Sequence, residues 1–253
     1  YGTELYNDNV SGAEFARQRI VTETGQSINP AEKALELYTS FALPANKNYS
    51  WNSFLASAQS AEKELDTFAR GKVSMVFGYS FMYEQIMDKI QELDSKGVNT
   101  IDPSDVRIAM VPQVYDPETS TEKRDALASY YAETVSRTSP NARAAWEFLL
   151  FMSRKDNLEY YNDETHRPTS RRDMIEDQKQ DPIYGVYAEQ IGFAESFPIY
   201  DANAYADIFS KAVDSVLATG SVADAIRTAE TEMNDLLPSE GLIPPPAEQE
   251  SSA

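Results

Sequence analysis

The chain contains no cysteine and a single histidine in 253 residues. The first absence removes disulfides, thiolate metal ligands and sulfur nucleophiles together. The lone His166 lies in Asp163-Glu164-Thr165-His166-Arg167-Pro168, with no HExxH context and no second histidine, so no metal site is expected. Positive charge is scarce: 22 Lys and Arg stand against 41 Asp and Glu, a formal charge of -19. That balance repels phosphate backbones and anionic lipid headgroups, and nucleic acid is not expected as a partner. Long apolar runs are missing too, the densest being Phe148-Leu149-Leu150-Phe151-Met152, well short of the roughly 18 residues of a membrane span. There is no G-x-S-x-G elbow, Walker loop or G-x-G-x-x-G turn, so no catalytic residue and no cofactor is expected. A pair of carboxylates needs only proximity in space and leaves no fixed spacing, which keeps a glycoside-processing enzyme as an alternative.

Helical periodicity is plentiful. Asn29 and Pro30 form a start signal, and Ala34, Leu35, Leu37, Tyr38 and Phe41 follow on one face, predicting a helix over 29–43. Phe54, Leu55, Ala58, Ala61, Leu65 and Phe68 predict a second over 51–70, ended by Gly71, and a third runs over 80–96. Ser139-Pro140 opens a helix over 140–155, and two more fit 202–219 and 221–237, separated by Gly220. Trp51 and Trp146 fall within apolar helix faces and are read as core. Short apolar or β-branched runs predict strands at 73–77, 106–112 and 130–136. Residues 1–28 show no long period and read as a connecting segment, and 238–253, with Pro244-Pro245-Pro246, as a tail too polar to fold. Three strands are few for so many amphipathic helices, and the chain begins at Tyr1 with neither methionine nor leader. Further strands and an export signal are therefore expected upstream.

Aromatic residues are abundant, with 15 Tyr, 11 Phe and 2 Trp. Flat rings with a polar handle stack on sugar faces or apolar ligand surfaces and hydrogen-bond their edges. Tyr79 follows a predicted strand and a glycine, Tyr130 and Tyr131 sit beside Glu133, and Phe197, Tyr200 and Asp201 precede a helix. Arg167, Arg171 and Arg172 gather before a predicted helix start, where cations oppose the dipole and require a carboxylate partner.

Several of these segments, in order and spacing, resemble the family 1 extracellular solute-binding proteins, the group that includes the maltose-binding protein. Phe68-Ala69-Arg70-Gly71-Lys72-Val73-Ser74-Met75-Val76-Phe77-Gly78 is similar to that family's helix-to-strand passage. Val135-Ser136, Ser139-Pro140-Asn141 and Ala144-Ala145-Trp146-Glu147-Phe148-Leu149 resemble a strand entering the other lobe and the helix after it. Thr165 to Asp173 is similar to the interlobe return, and Asn234-Asp235-Leu236-Leu237 to the closing helix. The resemblance covers about residues 29 to 237. It implies an α/β, helix-rich, type II periplasmic-binding-protein-like fold of two lobes, present here as most of the second lobe plus a segment of the first. On that plan 29–113 and 170–237 belong to the second lobe, and 114–169 makes an excursion into the first with the hinge crossings.

The implied function is capture of a small solute, expected to be a carbohydrate, between the lobes and its delivery to an ABC importer's permease. The implied location is extracellular or periplasmic, through an upstream signal or lipid anchor. The resemblance sets Tyr79 against the cleft from one lobe and Tyr130, Tyr131 and Glu133 from the other, with Phe197, Tyr200 and Asp201 as a further aromatic segment. Many sugar-binding members carry Gly-Gly where this chain has Ser129-Tyr130-Tyr131. A helical interaction domain without a small ligand is the third reading.

Overall fold

A computed structural model describes residues 3–8, 10–22, 25–50, 64–113, 124–130, 132–238 and 241. In chain order these form β1 (Ile20–Val21), β2 (Ser27–Ile28), α1 (Pro30–Ser40), α2 (Glu64–Ala69) and α3 (Met82–Ser95). There follow β3 (Ala126–Leu127), α4 (Ala142–Met152), α5 (Lys155–Thr165), α6 (Ile175–Gln178) and α7 (Gly185–Gln190). The last of the described elements are β4 (Ala194–Glu195), α8 (Ala202–Thr219) and α9 (Val222–Leu236). Of the described residues 50% are helical and 5% are strand, so helix packing carries the architecture. The described residues form two sheets of two strands each: β1 and β2 are antiparallel, pairing Ile20 with Ile28, and β3 and β4 are parallel, pairing Ala126 with Ala194.

The chain divides into two compact units, Tyr1–Trp51 with Phe197–Ala253, and Asn52–Ser196. In the first, α8 and α9 pack side by side and α1 lies against both. Asp201 caps α8 by accepting hydrogen bonds from the Asn203 and Ala204 N–H groups, both at 3.0 Å. Gly220 ends it in the left-handed region at φ 75°, and its N–H reaches the Val216 carbonyl at 2.8 Å. Along α8 the buried residues Tyr205, Ile208, Ala212 and Val216 recur at three- and four-residue steps, meeting Ala225, Ile226, Ala229 and Met233 of α9.

Within residues 1–28, expected as a connecting segment, the stretch around Ala13, Phe15 and Ala16 contributes to this same core. Phe15 is among the most deeply buried side chains, with Ala13 and Ala16 beside it. No helical or strand period marks the segment because its register is set by side chains elsewhere. Asn234 accepts from the Ala13 N–H at 2.7 Å and donates to the Ala13 carbonyl at 3.1 Å, while the Glu230 carboxylate accepts from the Ala16 N–H. Asn29 both caps α1, accepting from the Glu32 N–H, and donates to the Phe15 and Ala16 carbonyls.

The second unit has a smaller core, Ala69, Ile86, Ile90 and Val106, with Leu65, Phe68 and Val76 against it. Here the strand expectations fail. Residues 73–77 and 106–112 take no strand structure, nor do the described residues of 130–136, Tyr131 lying outside them. β-Propensity measures fit to a pleated, half-buried surface, and among the described residues no neighbouring strand offers one. Only Val76 of 73–77 turns to the core, leaving Met75 at 82% and Phe77 at 76% exposure. Val106 is buried, and the Val111 N–H is taken by the Gln190 side chain at 3.1 Å in place of a ladder partner.

The helix expectations fare better. Those at 29–43, 80–96, 202–219 and 221–237 correspond to α1, α3, α8 and α9. Of 51–70, residues 64–69 form α2; 51–63, including Trp51, lie outside the described residues. The helix expected over 140–155 stops at Met152, where Ser153 and Arg154 separate α4 from α5. Trp146, read as core, is 51% exposed, because none of α4's residues is buried. In the expected tail only Pro238 and Gly241 are described.

Candidate functional site

Tyr79 sits just before α3, at 40% exposure, and stacks on Phe81 with ring centroids 5.9 Å apart and planes at 24°. Met75, Phe77, Tyr79 and Phe81 are all exposed. The Tyr187 hydroxyl donates to the Gly78 carbonyl beside Tyr79 at 3.5 Å. The Tyr187 phenol is pushed up from its ordinary value by burial.

Tyr130 is 70% exposed. The β3–β4 pairing carries it alongside the segment after β4, where the Ser196 hydroxyl donates to the Tyr130 oxygen at 3.3 Å. Arg124 lies over the Phe193 ring at 6.0 Å to the centroid. Glu133 is exposed, and Tyr131 is outside the described residues. In the other unit Phe197 is half-buried, Tyr200 is exposed, and Asp201 is committed to the α8 cap. The crease between α8 and α9, lined by Ile208, Lys211, Thr228 and Glu232 among others, includes none of the expected site residues.

Of the three arginines, Arg171 finds the carboxylate that its position demands. It holds Asp173 through two parallel N–H···O bonds of 2.9 Å, which keep the Asp173 carboxyl below its usual range. A third bond runs from Arg171 to the Ser153 carbonyl at the end of α4. Arg167 donates to the Tyr161 hydroxyl at 3.2 Å. Gln178 fixes the intervening loop, accepting from the Thr169 N–H at 2.7 Å and donating to the Arg167 carbonyl at 3.1 Å.

A cluster that sequence reasoning passed over lies next to this loop. His166, in the left-handed region at φ 52° at the end of α5, places Nε2 3.1 Å from the Glu84 carboxylate in the first turn of α3. Its ring lies flat on Tyr184, with centroids 4.3 Å apart and planes within 5°, and Tyr83 meets Tyr184 edge-on. Burial first, then the negative charge of Glu84, pushes the Tyr184 phenol up to about 12. Testing His166 only for metal partners in sequence could not find this, because Glu84 and Tyr184 approach from distant parts of the chain. Among the described residues no group of three or more His, Asp or Glu side chains is placed to hold a metal ion, and no helix is long and apolar enough to cross a membrane. No protein-family model matches the chain, and no curated protein matches it.

Proposed function

We propose that this chain is the carboxy-terminal part of the solute-capture component of an ABC importer, a two-lobed protein that holds a small carbohydrate between its lobes and passes it to a membrane permease. On this reading it acts outside the cytoplasm, anchored through chain upstream of Tyr1, and performs no chemistry on its ligand.

One observation carries the reading. The segment 114–169, assigned to the other lobe, contains α4, whose sequence Ala-Arg-Ala-Ala-Trp-Glu-Phe-Leu-Leu-Phe-Met is apolar nearly all round, yet no residue of it is buried. Trp146, Phe148, Leu150 and Phe151 are exposed at 47% to 67%. A helix of that composition belongs inside a larger body. The exposed side chains of Met75 and Phe77 support the same conclusion, since large apolar groups left in water mark a surface that further chain or a partner covers. The exposed rings of Tyr79 and Tyr130 supply faces of the kind that bind sugars.

Calorimetry of the protein expressed from its complete reading frame, against a panel of mono- and oligosaccharides, tests this. Tight binding without product is expected, and Tyr79→Ala weakens it by about 1–3 kcal/mol with little change in Tm. Release of a hydrolysis product overturns the reading in favour of a glycosidase with paired carboxylates. Absence of any sugar binding leaves the exposed face of α4 as the signature of a helical interaction domain.

A further inference from the structure

We infer that residues 142–165, helices α4 and α5, form an arm that opens as one piece and pivots on His166. Internally the arm is tied across the break: the Asn157 side chain of α5 donates to the Phe151 carbonyl of α4 at 2.7 Å. Arg154 also covers the Phe151 ring, 5.5 Å from its centroid.

Its attachment to the rest of its unit is of a different kind. The arm buries one residue, Asn162, and the Asn162 amide nitrogen has no hydrogen-bond partner among the described residues. The ties that hold it are polar and mostly exposed: at its end His166 to Glu84 at 3.1 Å and Arg167 to the Tyr161 hydroxyl at 3.2 Å, and at the α4–α5 junction Arg171 to the Ser153 carbonyl at 3.2 Å and Lys155 to Asp177 at 3.9 Å. Segments with few buried apolar contacts and solvent-exposed polar ties open at low free-energy cost and do so cooperatively. Among these ties His166 is the residue that adds a ring contact, its stack on Tyr184, to its polar bond. It stands where α5 ends and where the loop fixed by Gln178 begins. The fixed loop lies on one side of this residue and the loosely held helices on the other. This inference does not depend on the solute-capture reading.

Hydrogen exchange followed by mass spectrometry on the 253-residue protein tests it. Amides of 142–165 are expected to exchange together, at least about tenfold faster than those of α8 and α9. His166→Asn keeps a residue tolerant of the left-handed backbone but loses the stack and the reach to Glu84. It should speed exchange across the arm by about threefold to tenfold, with α8 and α9 unchanged as the internal control for folding. Glu84→Gln retains an oxygen for Nε2–H to bond and should stay near the parent, whereas Glu84→Ala should follow His166→Asn. Protection of the arm equal to that of α8 and α9, exchange of α4 and α5 at unrelated rates, or unchanged arm exchange in His166→Asn would each overturn the pivot.

Discussion

The pair α8–α9 and the pair α4–α5 are both built from consecutive helices joined by a short break, yet they end in opposite environments. α8 and α9 bury nine residues between them, Tyr205, Ile208, Ala212, Val216, Ala225, Ile226, Ala229, Glu230 and Met233. α4 and α5 bury only Asn162. The difference runs against composition, since α4 carries Trp146, Phe148, Leu149, Leu150, Phe151 and Met152 within eleven positions, a denser apolar sequence than α9. Burial therefore follows from having a partner face. α9 has a narrow stripe that α8 and α1 complete, while the described residues provide no second surface for the encircling apolar side chains of α4.

The contrast is broken most decisively in the core of the first unit. Phe15 is 1% exposed and packs into the α8–α9 cluster. Phe15→Ala is expected to cost about 3–5 kcal/mol in urea unfolding, since both the transfer free energy and a cavity are lost. A cost below about 1 kcal/mol would mean that residues 3–22 dock loosely and that the two helix pairs are less different than their burial suggests.

Asn234→Ala sharpens the same comparison. The substitution strands both the N–H and the carbonyl of Ala13, which Asn234 serves at 2.7 Å and 3.1 Å. A loss of about 1–3 kcal/mol is expected, read as a lower urea midpoint at unchanged slope. A fall in slope instead would show that the amino-terminal segment had come away from α9 in the native state.

Much of this contrast was visible in the sequence on one side and hidden on the other. The stripe Val222, Ala225, Ile226, Ala229, Met233 has a helical period and a Gly220 stop before it, so α8 and α9 could be placed to within a residue. Phe15 could not be placed, because its burial depends on Asn29, Glu230 and Asn234, which lie far from it in sequence. The strand expectations at 73–77 and 106–112 rested on composition alone, and a strand also needs a neighbour to pair with. Among the residues singled out in the sequence, Tyr79 and Tyr130 are exposed, Asp201 caps α8 and Arg171 pairs with Asp173. The His166 cluster depends entirely on long-range packing of α3 and α7, which no spacing rule encodes.

A smaller effect is expected at α3. Lys89 and Lys96 flank Glu92 at 2.6 Å and 2.5 Å, and their hydrogen bonds draw its carboxyl from 4.5 down to about 2. A carboxyl whose folded value is depressed stabilises the fold above its unfolded value and loses that contribution as pH falls through the folded one. Tm profiles of the parent and Glu92→Gln should therefore differ above pH 4.5 and converge as pH falls toward about 2. The gap should shrink in high salt, as surface ion pairs do. A difference that persists at pH 2 would assign it to helix propensity and not to charge.

The smallest expected effect is the most informative about α4. Phe148 is 59% exposed on a helix with no buried residue, so truncating it removes little surface that folding has taken from water. Phe148→Ser should change urea stability by no more than about 0.5 kcal/mol, against the several expected for Phe15→Ala. The same change should lower the binding of a fluorescent apolar dye, because it removes one of the large apolar side chains that α4 leaves exposed. The paired readout matters, since an unimportant surface residue would leave both quantities unchanged. A stability loss above about 2 kcal/mol would show instead that Phe148 is buried in solution, and α4 and α9 would then be helices of the same kind.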